Sequence, residues 1–251
     1  MADNENWILM KHILAVYQWC VAMPILLVMT IITALLTIFF SLLGMSRRGG
    51  YYSAHFWAKL WCILMFVKVE VKGRENIDPK MSYVFVANHQ GAYDIYLVYG
   101  YLNHNFKWMM KKSLEKIPFV GAACRISKHI MVDRSSASAI QQTMDSAKRI
   151  LKDGMSLVVF PEGSRTPDGE MKKFKRGAFS LATEFGLPIV PLTIDGSYDV
   201  MPKNTFRITP GKISLTIHKP IYFDKVGADN KALTEELLEK SYNVIKSGLP
   251  G

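Results

Sequence analysis

A chain of 251 residues has room for one sizeable domain and an appendage, and is too short for two large domains. Its formal charge of +10 calls for anionic partners; with no helix-turn-helix, zinc or RNA-binding signature, nucleic acid is set aside in favour of anionic lipid surfaces and phosphorylated substrates. Cys20, Cys62 and Cys124 lie far apart with no paired spacing, as expected of reduced cysteines in a cytoplasmic protein rather than of a disulfide framework.

The appendage comes first in the chain. Between Ile13 and Ser46 there is no Asp, Glu, Lys or Arg, and Ile25 to Met45 alone matches the ~20 apolar residues that cross a bilayer core. Asp3 and Glu5 at the start and the length of the stretch argue against a cleaved signal peptide. Pro24 lies inside it, so the segment is either one helix beginning near Ile25 or two helices folded as a hairpin in the bilayer. Arg47, Arg48 and Lys59 follow the stretch, and the positive-inside bias puts everything after residue 46 on the cytoplasmic side. Phe56 to Val67 is a second apolar patch, broken by Lys59 and carrying Trp57 and Trp61; it suits an interfacial helix against headgroups or a core helix of the domain. The expected division is an anchor with its interfacial helix over 1–67 and a domain over 68–251. The positive charge belongs to the latter, since the first fifty residues carry a net charge of only +1.

Beyond the anchor the pattern alternates. Strands are predicted at Phe66 to Val71, Tyr83 to Ala87, Phe106 to Met110, His129 to Val132, Leu157 to Phe160, Ile189 to Ile194 and Ile213 to His218. Helices are predicted at Ala92 to Leu102, Ser138 to Lys152, Gly177 to Phe185 and Asn230 to Lys246, the second capped by Ser135 or Ser136 and stopped at Gly154. Alternating strands and helices describe an α/β layered fold with a mainly parallel sheet. Sites in such sheets form at the carboxyl ends of strands.

Two polar cassettes occupy that position. Asn88-His89-Gln90-Gly91-Ala92-Tyr93-Asp94 follows the run ending at Ala87. His89 and Asp94 would be separated by about 140° on a straight helix, so they face each other only across a turn, for which Gly91 offers the freedom. A carboxylate on one ring nitrogen fixes the tautomer and leaves the other free to take a proton. The same residues taken alone also suit a helix cap beside a surface histidine. The second cassette, Pro161-Glu162-Gly163-Ser164-Arg165, follows the run ending at Phe160. Arginine offers a planar cationic fork for phosphate, and Gly163 lets backbone approach an anion. Lys172, Lys173, Lys175 and Arg176 then form a basic cluster ahead of a helix, either a solvated face or a path for a polyanionic substrate.

In order along the chain, these strings resemble the 1-acylglycerol-3-phosphate acyltransferases, a family of membrane glycerophospholipid acyltransferases. The resemblance runs through four blocks over about residues 80 to 195: Asn88-His89 to Asp94; Lys112-Ser113-Leu114 through Pro118 to Gly121 with Val132-Asp133-Arg134; Phe160 to Arg165 with Phe174-Lys175-Arg176-Gly177-Ala178; and Val190-Pro191-Leu192. Ser164 stands where the family more often has threonine, so the hydroxyl is kept.

The resemblance implies an acyltransferase that moves a fatty acyl group from an acyl thioester to the sn-2 hydroxyl of lysophosphatidic acid, giving phosphatidic acid. It implies His89 as general base, Asp94 as its orienting partner, and Glu162, Gly163, Ser164 and Arg165 as the glycerol-phosphate site. Arg134 and Lys112 of the second block would add cations, and Pro191 would lie at the acyl-donor site. No metal or cofactor is expected; acyl-CoA or acyl carrier protein enters as co-substrate, and the bilayer is the partner surface. Without a Gly-x-Ser-x-Gly elbow, direct attack is expected rather than an acyl-enzyme. Glycerol 3-phosphate, another lysophospholipid or an aminoacyl lipid as acceptor is the alternative within the class, and a non-catalytic lipid-binding protein the alternative outside it.

Overall fold

The computed structural model describes residues 2–47, 49–224 and 231–250; Arg48, counted above in the positive-inside bias, and Asn230, the expected start of the last helix, lie outside them. The chain opens with α1 (Ala2–Tyr17), a π-helical turn over Gln18–Ala22, and α2 (Met23–Leu42). Pro24 has no N–H to donate into the preceding turn. The helix accommodates it by widening one turn, with the Met23 N–H reaching the Gln18 carbonyl, the usual use of a π-bulge. Neither a helix starting near Ile25 nor a hairpin folded at Pro24 forms. Instead Leu9–Leu42 makes 34 continuous helical residues, mostly exposed and long and apolar enough to cross a membrane. The widened turn also aims the buried Gln18 side chain at the Ile208 carbonyl, 2.9 Å away.

The reversal in direction comes later, between α2 and α3 (Gly49–Leu64). These helices are pinned by polar bonds in an apolar setting: Thr37 Oγ1 to Ser53 Oγ at 2.7 Å, and the Trp57 indole N–H to Thr30 Oγ1 at 2.8 Å. One face of α3, with Ala54, Ala58 and Cys62, joins the core of the domain, while Tyr52, Phe56 and Ile63 stay exposed on the other.

All seven predicted strands form: β1 (Lys68–Lys72), β2 (Val84–Ala87), β3 (Phe106–Lys111), β4 (Ile130–Val132), β5 (Ser156–Val159), β6 (Ile189–Asp195) and β7 (Lys212–Ile217). They make one sheet in the order β1-β7-β6-β2-β5-β3-β4. Every pairing is parallel except β6 with β7. The ends differ from expectation for visible reasons. Phe66 takes φ +55° and packs its ring at a tilt against Tyr17, and β1 starts two residues later. His129 is withdrawn from β4 because its ring binds the Tyr99 hydroxyl and accepts the Trp108 N–H.

The helices are α4 (Tyr93–Tyr101), α5 (Val120–Ile126), α6 (Ala137–Lys152), α7 (Gly177–Phe185), α8 (Ser197–Val200) and α9 (Lys231–Ser247). Short α5 and α8 carry too few turns for a periodic pattern and were not anticipated. Ser136 caps α6 by accepting from the Ala139 N–H, and Gly154 follows its end at φ +71°. The strands feed two apolar layers. Phe85, Ala87, Phe106, Trp108 and Val158 pack with α3 and α4; Val84, Val86, Leu157 and Val159 pack with α6, α7 and α9. Since β2, β3, β4 and β5 run parallel, the segments that leave them emerge on one edge of the sheet.

Candidate active site

The first cassette is held rigidly at the end of β2. Fully buried Asn88 acts as an extra rung of the ladder: its amide donates to the Ile194 carbonyl at 2.7 Å and its oxygen accepts the Ile194 N–H at 2.8 Å. The chain then turns, and His89 Nδ1 meets Asp94 Oδ2 at 2.6 Å. The same carboxylate oxygen accepts the Gly91 N–H at 3.1 Å. Asp94 is completely buried at the start of α4, where the helix N-terminus favours its negative charge. Its second oxygen, Oδ1, is sealed from solvent and has no hydrogen-bond partner among the described residues. Gly91 is needed for closeness, since its φ is not in the left-handed region: a Cβ would collide with the Ser197 carbonyl of α8.

With Nδ1 engaged, His89 Nε2 has no hydrogen-bond partner among the described residues and is not sealed off. The imidazole lies flat on Phe160, ring centroids 4.0 Å apart and planes 8° from parallel; Phe160 in turn stacks with Trp108 at 5.2 Å. This aromatic column, with the Asp94 bond, leaves the ring one orientation.

The second cassette supports the first. Glu162 Oε1 accepts the His89 N–H at 2.8 Å and Oε2 accepts the Lys172 N–H at 3.1 Å. Both oxygens are thus turned inward, and burial pushes the carboxyl above the ordinary glutamate range despite these N–H donors. The Thr166 N–H closes the arrangement on the His89 carbonyl at 3.0 Å. Gly163 takes φ +79° and stays exposed. Ser164 is tied to Lys172, whose ammonium donates to its hydroxyl at 2.7 Å and to its carbonyl and that of Arg165. The Arg165 guanidinium donates to no described residue and lies near enough to Tyr96 of α4 for its charge to act on that phenol.

Cations arrive from neighbouring strands. Arg134 follows β4 and brings both terminal nitrogens to about 3 Å from the place a Gly163 Cβ would occupy. Lys112, at the end of β3, is exposed and pairs with Asp133 at 2.7 Å, holding that carboxyl well below its usual value. Pro191 lies apart: it is buried within β6 opposite Val86, and its carbonyl accepts the His218 N–H. The sequence pattern pointed to His89, Asp94 and the glycine-arginine turn. It did not expose Phe160 as the stacking partner, Asn88 as a ladder rung, or Lys175 as a neighbour of Gly163; for these the only signal was their place inside the quoted blocks.

An imidazole with one nitrogen on a buried carboxylate and the other free, beside unpaired cations, is the equipment of a transferase that activates a hydroxyl on a phosphate-bearing molecule. The acyltransferase family model matches residues 68–195. A 1-acyl-sn-glycerol-3-phosphate acyltransferase of Chlamydomonas reinhardtii is 33% identical over 78% of this chain and 58% of its own length. A chloroplastic enzyme of the same name from Brassica napus is 35% identical over 68% of this chain and 51% of its own. The crystal structure of the 1-acyl-sn-glycerophosphate (LPA) acyltransferase PlsC of Thermotoga maritima superimposes with a TM-score of 0.77 at 28% identity, covering 96% of this chain and 95% of that one. The chain belongs to the acyltransferase family, among the 1-acyl-sn-glycerol-3-phosphate acyltransferases. It spans about half to three fifths of the length of the plant and algal relatives.

Proposed function

We propose that this protein is a 1-acylglycerol-3-phosphate O-acyltransferase, which moves a fatty acyl group from an acyl thioester to the sn-2 hydroxyl of lysophosphatidic acid and forms phosphatidic acid for phospholipid biosynthesis. The observation that carries the reading is the 2.6 Å bond between His89 Nδ1 and the buried Asp94, which leaves Nε2 as the available base. In this reading Nε2 takes the hydroxyl proton as the acceptor oxygen attacks the thioester carbonyl. Asp94 stabilises the imidazolium, the carbon–sulfur bond of the tetrahedral intermediate breaks, and the leaving thiolate recovers the proton from His89. Arg165, Gly163 and Arg134 hold the acceptor phosphate, with Lys112 at the margin; Glu162 and Ser164 act by fixing the loop. The acyl donor is acyl-CoA or acyl carrier protein, and no protein-bound acyl group forms.

The apolar outer faces of α2 and α3 support docking into a phospholipid bilayer. Because the turn between them is bonded to the domain, through Lys107 to the Ser46 carbonyl and Arg47 to the Asp153 carbonyl, α2 lies along the domain and offers its outer side to lipid. Arg47 and Lys59 favour the cytoplasmic leaflet. Purified protein supplied with acyl-CoA and lysophosphatidic acid is expected to release free thiol and phosphatidic acid in equal amounts. Thiol release only with a different acceptor, or none at all, contradicts the proposal.

A further inference from the structure

The basic run at Lys172 to Arg176 contributes cations that the reading above leaves without work, and Lys175 is the one that reaches Gly163. Lys175 is fixed at its backbone, since its N–H donates to the Pro161 carbonyl at 3.0 Å, which brings the run back against the end of β5. Its ammonium then lies 3.1 Å from the place a Gly163 Cβ would occupy, the same place that the Arg134 nitrogens approach to 2.9 and 3.0 Å. Two cationic heads from loops on different strands therefore meet over one exposed glycine. No carboxylate forms an ion pair with either among the described residues. Asp133, next to Arg134, is paired with Lys112 at 2.7 Å, and Glu162, next to Gly163, has both oxygens on backbone N–H groups. Like charges held together repel one another, and a glycine between the two heads leaves room for an anion to approach both where a Cβ would crowd them.

We infer that Lys175 and Arg134 together grip a dianionic phosphate monoester over Gly163, so that Lys175 selects acceptors with a terminal phosphate over those whose phosphate is esterified a second time. This rests on the acyl-transfer reading, and goes beyond it by naming a residue that sets headgroup choice. A diester carries one negative charge and must place its extra substituent between the heads; a monoester brings up to two charges and three oxygens. The titration of Lys175 agrees. Partial desolvation, then the charges of Arg134 and Lys172, push its ammonium below the ordinary lysine value of 10.5. Of the other charged groups nearby, Arg176 is turned to Glu235 of α9 at 3.2 Å, and Lys172 is bound to the Ser164 and Arg165 carbonyls. A bound dianion favours the charged lysine, so the KM for a monoester should rise as pH climbs through the lowered Lys175 titration, well above the phosphate's own second pKa of about 6.

The test compares lysophosphatidic acid with its methyl phosphodiester analogue as acceptors for wild type, Lys175→Gln and Lys175→Arg. Lys175 is exposed, so neither change should disturb folding. Lys175→Gln is expected to raise the KM for lysophosphatidic acid about tenfold or more, with kcat and the KM for the diester little changed. Lys175→Arg should restore the monoester preference and abolish the alkaline rise in KM. Equal losses for both acceptors, or an unchanged KM for lysophosphatidic acid in Lys175→Gln, overturn the assignment. Calorimetric binding of glycerol 3-phosphate reads the site without turnover. If wild type does not acylate lysophosphatidic acid but binds glycerol 3-phosphate more tightly than Lys175→Gln does, acyl transfer fails while the anion site stands. If both bind it equally, the anion site fails.

Discussion

One oxygen of Asp94 serves both the His89 ring and the Gly91 N–H, so the carboxylate that holds the proposed base also fixes the turn that carries it. An amide in its place would keep the shape and lose the charge that stabilises an imidazolium. Asp94→Asn should therefore lower kcat about 10²–10⁴-fold while the KM for lysophosphatidic acid changes little, measured by steady-state thiol release; an unchanged kcat would reduce Asp94 to a structural cap. At this scale the sequence showed that five-residue spacing requires a turn, because the helical angle is a fixed geometric quantity. It could not show why residue 91 is glycine, since the reason is Ser197 of α8, more than a hundred residues away. The inward turn of Glu162 was equally hidden, because its second partner, the Lys172 N–H, arrives only when the loop folds back.

Among the elements, the hairpin of α2 and α3 is attached to the domain at its turn. Lys107 of β3 is almost completely buried and donates to the Ser46 carbonyl at 2.9 Å. Burial, then the charges of Lys128 and Arg47, pushes its ammonium down to about 8 from 10.5. Between those values the unfolded chain binds more protons than the native one, so stability contributed by this group rises with pH. Relative to Lys107→Met, wild type should gain in thermal midpoint as pH increases from about 8 to about 10.5; a constant difference across that range would show that burial does not lower the Lys107 titration. The strands were legible because continuous apolar runs such as Val84 to Ala87 face two layers at once. The hairpin was not, because Pro24 signals a break, while the π-turn that absorbs it and the turn that reverses the chain, at Ser46 and Arg47, depend on partners elsewhere in the fold.

Across the whole molecule, the apolar helices and the polar edge that carries the proposed site are packed together. The same α3 that shows Phe56 and Ile63 outward packs Trp57 and Trp61 on Tyr96 of α4, the helix whose first turn holds Asp94. The account depends most on His89 as the group that deprotonates the acceptor hydroxyl. The most direct measurement is thiol release from acyl-CoA with saturating lysophosphatidic acid by His89→Ala in phospholipid vesicles. A fall in kcat of about 10²–10⁴-fold with lysophosphatidic acid binding retained is expected; a kcat within a few-fold of wild type would contradict it.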